Sequence, residues 1–180
     1  MEPLRKIGTP IADVISPHNF ADFQTAFDPL LTPGARNYWK SNNFLALTDD
    51  VIDTVLAHAA RLPDSQSEVF LGHLGGAVKR VPATATAYAP RDAEFVMNVH
   101  GRWADAERDT DCIAWARDLY AATVPFATGG VYVNFMTDDE GDRVKAAYGP
   151  NYDRLRSLKR KFDPTNLFRT NQNLRPALLE

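Results

Sequence analysis

Glu94-Phe95-Val96-Met97-Asn98-Val99-His100-Gly101-Arg102 alternates with period two, and the way it divides into faces decides the fold. A strand turns successive side chains to opposite sides, so Phe95, Met97 and Val99 form an apolar face and Val96, Asn98, His100 and Arg102 a more polar one. The first face belongs to a core, the second to water or a ligand. Val131 to Met136 divides in the same way, with Val131, Val133 and Phe135 on one side and Tyr132, Asn134 and Met136 on the other. Together the two segments offer amide, imidazole and phenol groups. By periodicity alone, the solvent side of a half-exposed sheet would have this composition too.

Further extended candidates are Arg36 to Asn43, Glu68 to Leu74 and Thr84 to Tyr88, separated by Gly, Pro and charged breaks. Several follow one another without the crossover helices that a parallel sheet requires. The expected fold class is therefore α+β, an antiparallel sheet with helices packed on one face, including Glu68 to Leu74, Glu94 to Arg102 and Val131 to Met136.

Four amphipathic stretches supply the helices. Asn19 to Asp28 carries Phe20, Phe23 and Phe27 at helical spacing before Pro29 and the Pro33-Gly34 turn, and this stripe is expected to face a core. Asp49 to Arg61 repeats the pattern with Val51, Ile52, Val55, Leu56 and Ala59; Thr48 and two aspartates favour its start and Pro63 stops it. Asp109 to Thr123 gathers Ile113, Ala116, Leu119 and Tyr120, and Asn151 to Phe162 gathers Tyr152, Leu155, Leu158 and Phe162. Both are expected to pack on the sheet.

Composition excludes several function classes. In 180 residues, 20 Lys and Arg against 23 Asp and Glu leave a formal charge of -3, which gives nucleic acid or an anionic membrane no electrostatic footprint. The longest apolar run is far short of the roughly 20 residues that span a bilayer. Residues 1 to 15 lack a basic-then-apolar leader, so a cytoplasmic location is expected. The single Cys112 excludes an internal disulfide and is expected to be a buried structural thiol. His18, His58, His73 and His100 have no metal-binding spacing, and no metal site is expected. Gly72-His73-Leu74-Gly75-Gly76-Ala77 lacks the order of a nucleotide loop; glycines that bend a strand or admit a ligand explain it more simply. No Gly-x-Ser-x-Gly elbow marks a hydrolase nucleophile.

The C-terminal half carries a more specific signal. Gly130-Val131-Tyr132-Val133-Asn134-Phe135 is followed by Asp139-Glu140-Gly141, Tyr148-Gly149, Asn151-Tyr152-Asp153-Arg154-Leu155, Leu158-Lys159, Asp163-Pro164-Thr165-Asn166-Leu167-Phe168 and Asn171-Gln172-Asn173. Supporting blocks are Asn37-Tyr38-Trp39-Lys40-Ser41, His73-Leu74-Gly75-Gly76, Pro90-Arg91-Asp92-Ala93 and Trp115-Ala116-Arg117. In this order the blocks resemble the substrate-side, C-terminal part of berberine bridge enzyme-like FAD-linked oxidoreductases, in the vanillyl-alcohol oxidase superfamily. The resemblance covers nearly the whole chain.

It implies an antiparallel sheet whose inner face roofs the flavin, over residues 1–162, and a tail, 163–180, that returns to the FAD-binding domain. It also implies oxidation of an alcohol, sugar or secondary metabolite by hydride transfer to FAD, with small-molecule substrate held between sheet and cofactor. Asn98, aligned by the following Trp103, His100 and Tyr132 are then substrate-facing, and Asn134, Asn171, Gln172 and Asn173 are cofactor-binding. An Asn can orient a hydroxyl but cannot act as a base. Where the plant-type pattern has a second tyrosine this chain has Phe135, so the resemblance assigns no catalytic base. The pyrophosphate loop and flavin-attachment residues of the family's other domain are not found in these 180 residues. Weak FAD affinity is therefore expected of this stretch alone, with an FAD-binding domain as partner in cis or trans and homo-oligomerisation as another way to cover the face turned to it. The alternative is a non-catalytic remnant or a module that binds a small molecule or partner.

Overall fold

The computed structural model describes residues 2–9, 11–13 and 15–177. Met1 of the expected first segment and residues 178–180 of the expected tail lie outside the described residues. Residues 1–34 and 35–180 form two compact units, a division after Gly34 that the sequence reading did not anticipate.

The first unit holds α1 (Glu2–Arg5) and α2 (Phe20–Thr25), the latter capped by Asn19 Oδ1, which accepts the Ala21 N–H at 2.9 Å. The expected helix to Asp28 stops at Thr25, and a 3-10 turn at Asp28–Leu30 follows. Phe20, Phe23 and Phe27 do not face a core: all three are exposed. A helix of 6 residues gives the stripe too short a surface to hold a second element.

In the second unit follow β1 (Arg36–Phe44), α3 (Asp49–Ala59), β2 (Glu68–His73), α4 (Ala77–Arg80), β3 (Phe95–Trp103), α5 (Asp109–Thr123), α6 (Val144–Tyr148) and α7 (Tyr152–Phe162). The sheet order is β1-β3-β2 and both pairings are antiparallel. Register sets Phe44 beside Phe95, Asn42 beside Met97, and Val69 beside Val99, all on the face that α3 and α5 cover. There Phe44, Met97 and Val99 meet Val51 and Val55 of α3 and Trp115, Ala116 and Leu119 of α5. Thr48 caps α3 through its Oγ1, which accepts the Val51 N–H, as the sequence led us to expect. Only half of its apolar stripe is used, because Val51 and Val55 reach the core while Ile52 and Leu56 stay exposed. Asn42, buried on this apolar face, is satisfied by Thr123 Oγ1 at 3.0 Å and Tyr120 O at 3.1 Å. Cys112 is fully buried, and burial pushes its thiol pKa up.

A second cluster, Val131, Met136, Val144 and Ala147, forms beside the sheet with Tyr148, Tyr152 and Leu174 packed on it. Two expected strands are absent: Thr84 to Tyr88 is irregular, and Val131 to Met136 contains a 3-10 turn, Val133–Phe135. The outer carbonyls of β1 are already occupied, Asn43 O by the Thr128 N–H at 2.8 Å and Ser41 O by the Arg143 guanidinium. With that part of the β1 edge taken, an alternating segment beside it has no ladder there to hold it extended. Helix α7 also departs from expectation. Instead of packing on the sheet it buries no residue fully, and Leu158 and Phe162 remain exposed, as do Leu167 and Phe168 of the tail.

A buried cation ties the second cluster to the sheet. Lys40 of β1 donates to Asp139 Oδ1 at 2.7 Å and lies 3.5 Å from Glu140. Tyr38 Oη and Arg117 Nη2 donate to the other Asp139 oxygen at 2.7 and 3.0 Å. Burial would lower the Lys40 pKa and raise that of Asp139, but these bonds outweigh it: Lys40 is raised, and Asp139 lies well below the usual carboxylate range.

A carboxyl lowered on folding stabilises the native state above its unfolded pKa, about 3.9, and loses that contribution as pH falls toward the folded value. Thermal unfolding of Asp139→Asn is expected to show a lower midpoint than the parent at neutral pH, with the gap starting to narrow as pH falls through about 4 and continuing to narrow down to the lowered native pKa. A gap independent of pH would mean that the charge of Asp139 contributes nothing. Leu119→Ala, at a site with no exposure, is expected to cost about 2–5 kcal/mol in denaturant unfolding.

Candidate functional site

The face of the sheet away from α3 and α5 carries Trp39, Ser41 and Asn43 from β1, Val96, Asn98 and His100 from β3, and Phe70 and Gly72 from β2. The sequence marked it as wet, yet Ser41, Asn43, Val96 and His100 are buried. The residues between β3 and α7 that failed to form a strand lie against this side instead, as the mixed lining of two clefts records.

Asn98 sits in the middle, opposite Ser41 on one side and Phe70 on the other. Its Oδ1 is buried with no protein partner, as are Ser41 Oγ, Trp39 Nε1 and both amide atoms of Asn43. A buried polar atom left unpaired costs on the order of 1–3 kcal/mol, so this row calls for a polar guest.

His100 is placed differently. Asn37 Nδ2 donates to Ala35 O at 2.8 Å, which turns Asn37 Oδ1 toward His100 Nε2 at 3.0 Å and Arg102 Nη1 at 3.2 Å. Nε2 must therefore donate, while Nδ1 faces Glu68 Oε1 at 3.4 Å. With Trp39 edge-on at 5.4 Å, the ring is held at both nitrogens rather than offered to a ligand.

Tyr132 and Phe135 would face opposite ways in a strand. In the 3-10 turn their rings meet edge to face, with centroids 5.0 Å apart, and Tyr88 adds a third ring 5.9 Å from Tyr132. Burial pushes the Tyr88 phenol pKa up. Asn134 is exposed, and its Nδ2 donates to Tyr132 Oη at 2.8 Å, so the Tyr132 proton is free for another acceptor. Sequence reasoning missed Tyr88 and Phe70 as members of this group; Tyr88 fell in a segment expected to be a strand, and Phe70 sits where β2 turns alternate residues to this face.

The tail is tied down, not frayed. Gln172 Nε2 donates to Met136 O at 3.2 Å, Leu174 packs on the second cluster, and Arg156 and Arg160 of α7 donate to Arg175 O at 3.2 Å and Ala177 O at 3.1 Å. Asn171 takes the left-handed conformation at φ 57° and accepts from the Asn173 N–H at 2.9 Å. Asn171 and Gln172 line two polar clefts of about 640 and 730 Å³, the first shared with Trp39 and Asn134. Asn173 Oδ1 is buried without a protein partner. Amides in such a setting can pair with the carbonyls and N–H groups of a neutral heterocycle. Among the described residues no group of three or more His, Cys, Asp or Glu is placed to hold a metal ion, and no helix is long and apolar enough to cross a membrane.

Residues 131–175, the turn, α6, α7 and most of the tail, match the family described as berberine and berberine like. The chain is 28% identical over 181 residues to the uncharacterized FAD-linked oxidoreductase YgaK of Bacillus subtilis (strain 168), covering 98% of this chain and 39% of YgaK. Aclacinomycin-N/aclacinomycin-A oxidase of Streptomyces galilaeus is 35% identical over 133 residues, 63% of this chain and 24% of that protein. Among solved structures, glycopeptide hexose oxidase DBV29 complexed with teicoplanin superposes with a TM-score of 0.70 at 27% identity, over 79% of this chain and 33% of that one. The chain thus spans about two fifths of the length of the curated relatives it matches along its whole extent. Residues 131–175 thus carry a berberine-like family segment, and in sequence and in fold the chain is similar to part of the berberine bridge enzyme-like FAD-linked oxidoreductases.

Proposed function

We propose that this chain forms the substrate-side wall of an FAD-dependent oxidoreductase, which oxidises a hydroxyl-bearing small molecule, an alcohol, sugar or secondary metabolite, beside an FAD-binding domain in cis or in trans. The observation that carries this reading is the conjunction of Tyr132, its proton turned outward by Asn134, with the unpaired Asn98 Oδ1 at the same face of the sheet. FAD, when bound, supplies the two-electron acceptor. The chain's own residues bind and orient: Asn98 accepts a substrate hydroxyl, Tyr132 donates to a substrate oxygen, and His100, fixed by Asn37 and Glu68, holds the strand beneath them. Asn134, Asn171, Gln172 and Asn173 are the groups proposed to meet the flavin, because neutral amides suit a ring with carbonyl and imide edges. Residues 163–180 would act as the strap that carries three of them, and the exposed Leu158, Phe162, Leu167 and Phe168 as the apolar part of the surface that the FAD-binding domain covers. Self-association is the other way to cover it.

Expressed alone, the chain is expected to purify without the visible absorption of flavin, because one wall offers too few contacts for tight binding. Mixed with the separately expressed, FAD-loaded remainder of YgaK, it is expected to co-elute, and Tyr132→Phe in the assembled enzyme to lower kcat/KM by about tenfold or more. Failure to associate, with both parts folded by circular dichroism, would count against the flavoenzyme reading and favour a binding module without chemistry.

A further inference from the structure

One cleft on the open face differs in character from the two polar ones. It has a volume of about 540 Å³ and is walled by Phe70, Tyr88, Tyr132 and Phe135, with Leu74 and Val96 behind them. This lies within the roughly 300–1,000 Å³ of small-molecule sites. Gly72 forms its floor between Phe70 and Val96, where an added Cβ would stand 2.8 Å from the Phe70 ring and 3.2 Å from Val96 Cγ1. The Phe70 ring already lies over that floor, so a side chain at Gly72 would displace this wall. The walls are not random apolar surface, because Tyr88, Tyr132 and Phe135 stand edge to face in a chain, at interplanar angles of 77° and 82°. This arrangement prefers an aromatic guest with its face to one ring and its edge to the next.

Charge narrows the guest further. Arg91 borders the cleft, but its Nε donates to Tyr88 O, Nη1 to Val78 O and Nη2 to Thr86 Oγ1 at 3.2, 2.9 and 2.7 Å. Its guanidinium lies 4.5 Å from the Tyr88 ring centroid and helps to shape that wall. His73 stacks on Phe95 at 5.2 Å and faces Glu94 at 4.0 Å. Arg91 donates only to neutral oxygens and keeps its positive charge, which disfavours a cationic guest. Among the lining groups, Tyr132 has a hydroxyl proton to give. A carbohydrate would bring more hydroxyls than this group can satisfy and leave the rest against apolar walls.

We propose that the cleft takes a planar, non-cationic aromatic ring system bearing a hydroxyl group, which makes a hydroxylated polycyclic aromatic, rather than a free sugar, the substrate class. The proposal rests on the oxidoreductase reading for its meaning as a substrate site, but its test needs no flavin. The purified chain is titrated with a hydroxyanthraquinone and, separately, with cellobiose, while NMR follows the Leu74 and Val96 methyl groups and the Gly72 amide. Saturable shifts with the quinone and none with the disaccharide are expected. Gly72→Val, which pushes the Phe70 ring out of place, and Phe70→Ala, at an exposed position that the fold does not need, are expected to weaken quinone binding by about tenfold or more while the spectrum stays that of a folded protein. Shifts produced by cellobiose instead, binding indifferent to both substitutions, or no binding of either probe would overturn the proposal. Each of these outcomes leaves association with an FAD-loaded partner, measured separately, unaffected.

Discussion

Strand β3 is hydrogen-bonded along both edges, to β1 and to β2, and nothing else in the second unit could keep its place without it. A doubly paired strand cannot rotate, so its alternation is imposed on both neighbours through the register. Met97 and Val99 then fix which side of Phe44 and Val69 meets the helices, and Asn98 and Val96 fix the side left for a ligand. The core and the candidate site are two consequences of one nine-residue segment.

The open face needs a cover, and its placement depends on Lys40. A buried ammonium is tolerated only when paired, and its partners Asp139 and Glu140 lie in the segment that follows Tyr132 and Phe135. Satisfying that charge pulls residues 137–143 against β1, and the preceding turn is carried with them to the open face. The aromatic chain of Tyr88, Tyr132 and Phe135 is thus positioned by an ion pair in which it takes no part. In a dry setting, electrostatics of this kind fixes geometry more reliably than it adds stability.

Much of this was legible in the residues. Thr48 with its following aspartates marked α3, and Asp109 to Thr123 marked α5 to the residue. Alternation in Glu94 to Arg102 was enough to separate the two faces, because a central strand is constrained on each side, but not to show that the polar one is largely covered. The same logic failed at Val131 to Met136, where the pattern is equally clean but the Ser41 and Asn43 carbonyls of the β1 edge are already taken, a fact about chain neighbours that periodicity does not contain. The helical stripe of Phe20, Phe23 and Phe27 failed for a related reason: amphipathicity states that a face seeks burial, not that a partner is present. At the site, residue type identified Asn98 and Tyr132 as polar groups in apolar company. That His100 is locked at both nitrogens follows from Asn37 and Glu68, which are distant in sequence and reach it only through strand register.

The two edges of the sheet are unequal. On β1 the outer carbonyls of Ser41 and Asn43 are occupied by Arg143 and Thr128. On β2, the bond from the Leu74 N–H to Glu94 O shows that even-numbered residues bond inward, which turns the backbone groups of Val69, Leu71 and His73 outward. The sheet is therefore a template that can grow in one direction only. Any strand joining it, whether from the same polypeptide or another, meets an available ladder at β2, beside the exposed Phe70 and Leu71, and a sealed one at β1.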